Sequence, residues 1–572
     1  MPADAARGLA DAAKALPPPA EQPPSGPGHS NGATPAAASF AASTYTTADF
    51  EQDREYYAGL PLGLLHPAVL DHGAAAGCPA TAGRRRYLCY FLHRHLEFRL
   101  PDAQSAAEVA LEGGHAARLD TGCRGGGGGG AAVVWEKPFG NRPESPFWYA
   151  HVHSKDAAKA IAARSLLTKV VLEVWGEGET LEGLQAAVAA HPEAERAKWG
   201  GAEQSFKFVV DTWGCTFTMA QQVELIESME GCTRFQGRID LRSPQNRFWL
   251  IVVKSNGRGL PLLPDRYYFG REVAAGDRSV VSTYDLRRRR YLGPTSMDTE
   301  MAFLMCNICK ARFCSARVRR CSLVLDPFVG TGSILIPAAH LGALTLGADI
   351  DIRVIKLGKK DKAGRQVNVW TNFRDYGLPP PLGLLRCDLH TAPFRDGLEE
   401  VLDAIVCDPP YGVRAGGKKS VAKERLITDR TSYIPSTDPY TLAECLHDLL
   451  DAAARLLRVG GRLAYFMPSA PGFYCEDEVP RHPALEMLAN CEQMLTTRYS
   501  RRLILMEKVK TYSAAEAAAY FERRGPPRMS IDNMHEYIYK SPAELAAEAG
   551  VTLEEHRAAQ AARIPRHRGK NI

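Results

Sequence analysis

The sequence predicts an α/β protein: a doubly wound sheet in the C-terminal half, preceded by smaller α+β modules. Three observations carry this. From Thr295 to about Val509, strand-like apolar runs alternate with helical stretches. Two runs, Leu323-Val324-Leu325 and Ala404-Ile405-Val406-Cys407, are continuously apolar, as strands covered on both faces are. Each is followed at once by an aspartate and a proline, Asp326-Pro327 and Asp408-Pro409. Those pairs would sit at the C-terminal strand edge, where open α/β sheets bind ligands.

A chain of 572 residues exceeds one ordinary core, so two to four domains plus tails are expected. Residues 1–82 are Ala/Pro/Gly/Ser-rich and read as a disordered tail. They carry early acids and few arginines, which argues against an organelle transit peptide without removing that alternative. Residues 83–160 read as a small α+β domain with a flexible glycine insertion at 125–130. Tyr87, Cys89 and Phe91 alternate there in strand fashion. Residues 161–275 read as a second α+β module, with strands at Val170–Val174, Phe206–Val210 and Phe248–Val253 and a helix at Leu181–Ala190. Residues 276–510 form the doubly wound domain, and 511–572 a helical tail that frays.

Lysine plus arginine number 70 against 65 acids, a net +5, so any nucleic-acid affinity must come from local patches. Fourteen cysteines in α/β sequence read as reduced thiols of a cytoplasmic protein. The longest apolar stretch, Ile334–Ile350, is broken by Pro337, His340, Gly342 and Gly347 and reads as helix then strand, not a membrane span.

LVLDPFVGTGS at 323–333 is a strand running into a glycine turn that opens a helix. Gly330 and Gly332 allow close approach of backbone to ligand. A dehydrogenase fingerprint would need a third glycine where Leu335 stands. Asp326 and Pro327 also disfavour a pyrophosphate. An acid at the strand end suits S-adenosylmethionine, which brings an ammonium and a sulfonium. Asp349 lies 19 residues (349 − 330) beyond Gly330, near the roughly 20 expected of the acid that takes ribose hydroxyls. Its neighbour Asp351 is the alternative, and either could instead be an acid at a helix N-terminus. Asp388 ends the next strand-like run; it would accept from the adenine amino group or cap a helix.

Asp408-Pro409-Pro410-Tyr411 lies 82 residues (408 − 326) beyond Asp326, about three βα repeats. In a strand order such as 3-2-1-4-5 the two motifs flank one crevice. The prolines stiffen the turn. The Asp408 carboxylate and Pro409 carbonyl would accept an exocyclic amino group's two hydrogens, while Tyr411 stacks on the ring. These acceptors free the nitrogen lone pair for attack on a methyl carbon and stabilise the charge that develops. Cys407 reads as a packed core thiol rather than a nucleophile.

TSMD at 295–298, LVLDPFVGTGS, GADID at 347–351, AIVCDPPYGVR at 404–414 and VGGRLAYFMP at 459–468 together resemble a known family, the catalytic subunit of the eukaryotic tRNA guanine-N2 methyltransferase acting at position 10. HLEFRLPD at 95–102, SPFW at 145–148, YYFGR at 267–271, NCEQ at 490–493 and SRRLILMEKVK at 500–510 fit the same family, in the same order. The resemblance implies a Rossmann-like class I methyltransferase domain with a seven-stranded mixed sheet, behind a THUMP-like tRNA-binding module and a small N-terminal domain. It also implies a contact of Thr295 and Ser296 with the cofactor's methionine end, and a small zinc-containing activator subunit as partner. The remaining alternatives are methylation of adenine N6, rRNA or protein, and a tRNA-binding scaffold without activity.

Weaker signals remain. Cys306, Cys309, Cys314 and Cys321 read as core or connecting thiols rather than zinc ligands, so no metal is assigned. Arg84–Arg86 and Arg287–Arg290 would contact RNA phosphates or form solvated faces. Gly416–Tyr440 reads as a loop over the cleft.

Overall fold

Aromatic and β-branched residues of the first half pair into one nine-stranded mixed sheet. A computed structural model describes residues 62–114, 131–254, 263–293, 296–312, 322–395, 397–411, 417–420, 437–470, 474–496, 499–524, 529 and 540–562. The first sheet comprises β1 (Val69–Leu70), β2 (Arg85–Phe91), β3 (Val134–Glu136), β4 (Phe147–Val152), β5 (Thr168–Gly178), β6 (Ser205–Trp213), β7 (Arg238–Ile239), β8 (Asn246–Val253) and β9 (Arg266–Ala275). Their order is β1-β3-β4-β2-β5-β9-β8-β6-β7. Antiparallel pairing of β2 with β5, Leu88 opposite Leu172, makes the sheet continuous.

Two boundaries shift as a result. A division at 160 would cut the helix Lys155–Arg164, which Ser154 caps by accepting from the Ala157 amide. That helix buries Ala157, Ala158, Ile161 and Ala162 beside Trp135 and Trp148, so it belongs to the core beneath β2–β4. The tail read over 1–82 is also too long. Residues 1–61 lie outside the described residues, but Val69–Leu70 pairs with β3. The Leu65 amide donates to Leu488 and the Asn490 amide to Gly63. Leu62, Leu64 and Val69 pack on the core, and that burial holds a segment of otherwise small residues.

The second sheet has seven strands: β10 (Leu323–Asp326), β11 (Leu344–Asp349), β14 (Gly383–Arg386), β15 (Leu402–Cys407), β18 (Leu457–Ser469), β19 (Leu485–Met494) and β20 (Ser500–Lys508). Two hairpins interrupt them, β12 (Lys359–Lys360) with β13 (Gln366–Val367), and β16 (Gly417–Ser420) with β17 (Thr437–Tyr440). The order is β14-β11-β10-β15-β18-β20-β19, in which β20 alone runs antiparallel to its neighbours. This is the seven-stranded mixed sheet of a class I methyltransferase, with the first and fourth strands adjacent.

Its strands are apolar on both faces because both are covered. Val324, Val406, Ala464 and Phe466 face one core with the helices Thr299–Ile308 and Leu335–His340. Leu325, Ile405, Cys407 and Tyr465 face another with the helix Leu442–Leu456. Thr441 and Glu444 close a capping box on that last helix. Its residues Leu442, Leu446, Leu449, Leu450 and Ala453 recur at helical spacing on the buried side.

The two sheets are fastened together by a buried cation. Arg462 on β18 is 4% exposed and donates to Ser105 Oγ (3.1 Å), Glu108 (2.7 Å) and the Ile308 carbonyl (3.0 Å). Ser105 and Glu108 lie on the helix Arg99–Gly114 of the first module. A fully satisfied guanidinium of this kind fixes a single docking geometry. C-terminal helices follow at Ala514–Arg524, Pro542–Glu548 and Leu553–Ala562. Among the described residues no helix is long and apolar enough to cross a membrane.

Candidate active site

Parallel pairing of β10 with both β11 and β15 brings three carboxylates to one strand edge. Asp326 ends β10, Asp349 ends β11, and Asp408 follows β15 directly. Asp326 is 1% exposed and accepts from the Phe328 amide at 3.0 Å. Burial pushes its carboxyl well above the usual carboxylate range, and the neighbouring Asp349 and Asp408 push it further. Asp349 and Asp408 are raised too, chiefly by burial. Three acids that cannot all ionise comfortably form a cleft suited to a positively charged ligand.

The glycine turn wraps the same edge. Asp349 accepts from the Gly330 amide (3.0 Å) and the Asp351 amide (2.9 Å), tying β11 to the turn after β10. Gly330 adopts φ +48°, and a Cβ there would meet nothing nearer than the Phe328 carbonyl at 3.9 Å. That opening beside three carboxylates fits the cationic, close-lying cofactor expected there. Gly332, at φ +80°, has a different requirement: a Cβ would come within 2.8 Å of Val369. Leu335, in place of a third glycine, is buried and opens the helix. Pro327 lies buried in the turn.

Ser296 reaches this turn as well. Its hydroxyl bonds Thr331 Oγ1 at 3.0 Å and accepts from the Gly293 amide. Thr295 lies outside the described residues. Asp351 lies beside Asp349 and helps to raise its carboxyl, but both Asp351 oxygens accept from the Arg353 guanidinium. Asp388 stands one strand further out, accepting from the His390 amide at 3.1 Å. The His390 ring is held in turn by Asp448 at 2.8 Å.

At the DPPY turn, Pro409 is buried while Asp408, Pro410 and Tyr411 are half-buried. The Tyr411 hydroxyl donates to Asp408 Oδ1. Burial first, then the Asp408 charge, lifts the Tyr411 phenol well above its ordinary range, so it stays a donor. Asp408 Oδ2 faces Arg501 Nη1 at 3.5 Å. Sequence reasoning missed Arg501. The available signal was a pair of arginines opening an otherwise apolar strand, since a buried charge must find a partner.

The thiols stay outside this chemistry. Cys306 and Cys407 are wholly buried, and Cys309 nearly so. Burial pushes all three thiols up. Cys314 and Cys321 lie outside the described residues. Among the described residues no three His, Cys, Asp or Glu side chains are grouped to hold a metal ion. Of the arginine run at 287–290 only Arg289 is buried, donating to Ser333 Oγ (3.1 Å); Arg287 and Arg288 are exposed, Arg287 pairing with Asp285, and Arg290 pairs with Asp375. Of Gly416–Tyr440, residues 416 and 421–436 lie outside the described residues, as does the glycine tract at 125–130.

A second candidate surface lies on the first sheet. A cavity of about 570 Å³ is lined by Arg85, Lys155, Lys198, Trp199 and Arg271, with Glu173 and Glu195. Arg271 stacks 3.8 Å from the Trp199 ring centroid, with Lys198 at 4.8 Å.

Comparison with known proteins agrees with this layout. Residues 139–278 match the family model Tmrp11 THUMP N-terminal domain, and 287–428 match the RMKL-like methyltransferase domain. The mouse protein named tRNA (guanine(10)-N(2))-methyltransferase TRMT11 is 34% identical over 439 residues, covering 75% of this chain and 89% of its own length. The human protein of that name is 34% identical over 444 residues, with the same coverage, 75% and 89%. Among solved structures, TrmN from Thermus thermophilus covers 74% of this chain and 100% of its own at 17% identity, with a TM-score of 0.33. With relatives of that identity over most of both lengths, and an acidic strand edge beside a DPPY turn, the chain belongs to the TRMT11 family of tRNA (guanine(10)-N(2))-methyltransferases.

Proposed function

We propose that this protein transfers a methyl group from S-adenosylmethionine to the exocyclic N2 of guanine at position 10 of tRNA. The observation that carries the reading is the adjacency of two half-sites. Asp326 and Asp349 form a cation-accepting edge on β10 and β11, and DPPY opens from β15 beside them. Bound cofactor supplies an electrophilic methyl on a sulfonium. Asp326 would balance positive charge, Asp349 would accept from the ribose hydroxyls, and Ser296 would hold the turn against the methionine end. Asp408 and the Pro409 carbonyl would accept from the amino group, with Asp408 positioned to take its proton. Pro410 would keep the turn extended, and Tyr411 would stack on the base. Asp388, near the cleft's outer end, suits the adenine amino group. A scaffold without activity would have no need of three acids gathered at one edge.

The basic cavity around Trp199 supports tRNA binding by the first sheet, since cations beside a half-buried aromatic ring suit phosphates and unpaired bases. Trp199→Ala is expected to weaken tRNA affinity about ten-fold and leave cofactor affinity unchanged. Filter binding and calorimetry on the same preparation check both; loss of cofactor binding contradicts it.

The small zinc-containing activator remains part of the proposal. β14 is an unpaired parallel edge among the described residues, with Leu382 59% and Leu385 40% exposed. Such an edge suits a partner that adds a strand, in a cytoplasmic heterodimer. Leu385→Asp is expected to reduce co-purification of the subunit several-fold without lowering the melting temperature of the isolated chain. Retention at wild-type level rejects this edge.

The overall reading is tested by incubating unmodified tRNA, labelled cofactor and the protein with its activator. Nucleoside analysis should give N2-methylguanosine. N6-methyladenosine, or no transfer, contradicts it.

A further inference from the structure

Arg501 joins pieces of chain that are far apart in sequence. It lies on β20 and is 8% exposed. Its Nε donates to Gln493 Oε1 at 2.7 Å, and its Cζ lies 3.9 Å from the Phe466 ring centroid. One terminal nitrogen lies 3.3 Å from Met297 Sδ. The other stands 3.5 Å from both Asp408 Oδ2 and the Tyr411 hydroxyl. The guanidinium is thus fixed in plane and azimuth before it reaches the DPPY turn, which a flexible ammonium would not be.

The two oxygens of Asp408 have different partners. Oδ1 receives the Tyr411 hydroxyl, and Oδ2 faces Arg501. A target amino group needs one of these oxygens. The tyrosine hydroxyl is the partner this scheme releases, because Tyr411 is half-buried whereas Arg501 is 8% exposed. Arg501 is held from three other directions and stays.

We propose that Arg501 is the positioning residue of the transfer: it holds Asp408 as an oriented carboxylate while the Tyr411 hydroxyl yields Oδ1 to the incoming amino group. The freed ring then stacks on the base. This rests on the methyl-transfer reading above. The charged and titratable groups around Asp408 leave this task to Arg501. Asp408 itself and Asp349 on β11 both oppose ionisation of Asp326 on β10, so neither supplies a counter-charge to Asp408. Tyr411 stays protonated, as do the thiols of Cys407, Cys309 and Cys445, all raised by burial. Tyr499 faces Arg501 rather than the carboxylate. Burial raises the Asp408 carboxyl, and Arg501 is the cation opposing that rise. A protonated Asp408 would present a donor to the amine and could no longer take its proton.

The test uses the full chain with its activator, wild type against Arg501→Met and Arg501→Lys, in single-turnover transfer to unmodified tRNA across acidic to alkaline pH. Arg501→Met should lower the rate about 100-fold at neutral pH. It should also move the acid limb upward by about one pH unit, because Asp408 loses its counter-cation. Arg501→Lys keeps the limb in place and runs about ten-fold slow, having lost the planar fork. In an Asp408→Asn background Arg501→Met should cost less than about three-fold, since no carboxylate remains to hold. A slow Arg501→Met enzyme with an unmoved limb, or an equal cost in both backgrounds, would overturn the assignment. If Arg501→Met does not fold, Arg501→Lys decides: full rate or a shifted limb overturns it. Failure of the wild type to make N2-methylguanosine would instead remove the underlying reading.

Discussion

Asp408→Ala is expected to lower single-turnover methyl transfer by at least about 10³-fold while tRNA affinity stays within about two-fold. An exocyclic guanine amine shares its lone pair with the ring. Acceptors that strengthen as charge develops on nitrogen act on the transition state far more than on bound substrate. Asp408 lies on the stiff turn after β15 and faces the acidic edge of β10, so its loss removes both an acceptor and a proton sink. Alanine also strands Arg501, one of whose terminal nitrogens faces Asp408 Oδ2. Asp408→Asn keeps an acceptor oxygen and is expected to be milder, about 10²-fold slow. The comparison separates hydrogen bonding from charge. Gel-shift titration and quenched-flow assays on the same tRNA check the split. A parallel collapse of tRNA affinity would mean that Asp408 serves binding rather than transfer.

Asp349→Ala is expected to weaken cofactor affinity about 100-fold. Asp349 holds the glycine turn through the Gly330 amide, and in the proposed reading its carboxylate would accept from the ribose hydroxyls. Removing it deletes ligand acceptors and loosens the turn together. Asp351→Ala should cost less than about three-fold, because both Asp351 oxygens are engaged by exposed Arg353. Calorimetric titration with S-adenosylhomocysteine distinguishes the two. Equal losses at 349 and 351 would assign the ribose to the wrong acid.

The doubly wound half was legible because burial on both faces writes itself as unbroken apolar runs. Val324 and Leu325 face opposite cores, as do Ile405 and Val406, so each run had to be apolar at every position. The adjacency of Asp326 and Asp408 followed from the spacing of ordinary βα repeats. Arg501 was illegible for the opposite reason. Its partner lies 93 residues away in sequence, and nothing local says which oxygen a buried guanidinium will find. The first half resisted division because its boundary is not local either. Hydrogen bonds between β2 and β5 fuse two modules whose sequences look separable. Short segments were missed on energetic grounds. Val69–Leu70 is two residues long, too short to show a period, and is a strand only because β3 offers an edge. The arginines at 287–290 read as a phosphate patch or a solvated face, yet Arg289 is 6% exposed and braces the glycine turn through Ser333.

The central claim is that the DPPY turn of this chain methylates N2 of guanine at position 10. The most direct measurement compares two unmodified transcripts of one tRNA, carrying guanine or adenine at that position, incubated with the activated protein and labelled cofactor. Label released as N2-methylguanosine from the first transcript, with none on the second and none from Asp408→Ala, is the predicted result. Label on the adenine transcript, or transfer by Asp408→Ala at a rate near that of the unaltered protein, would contradict it.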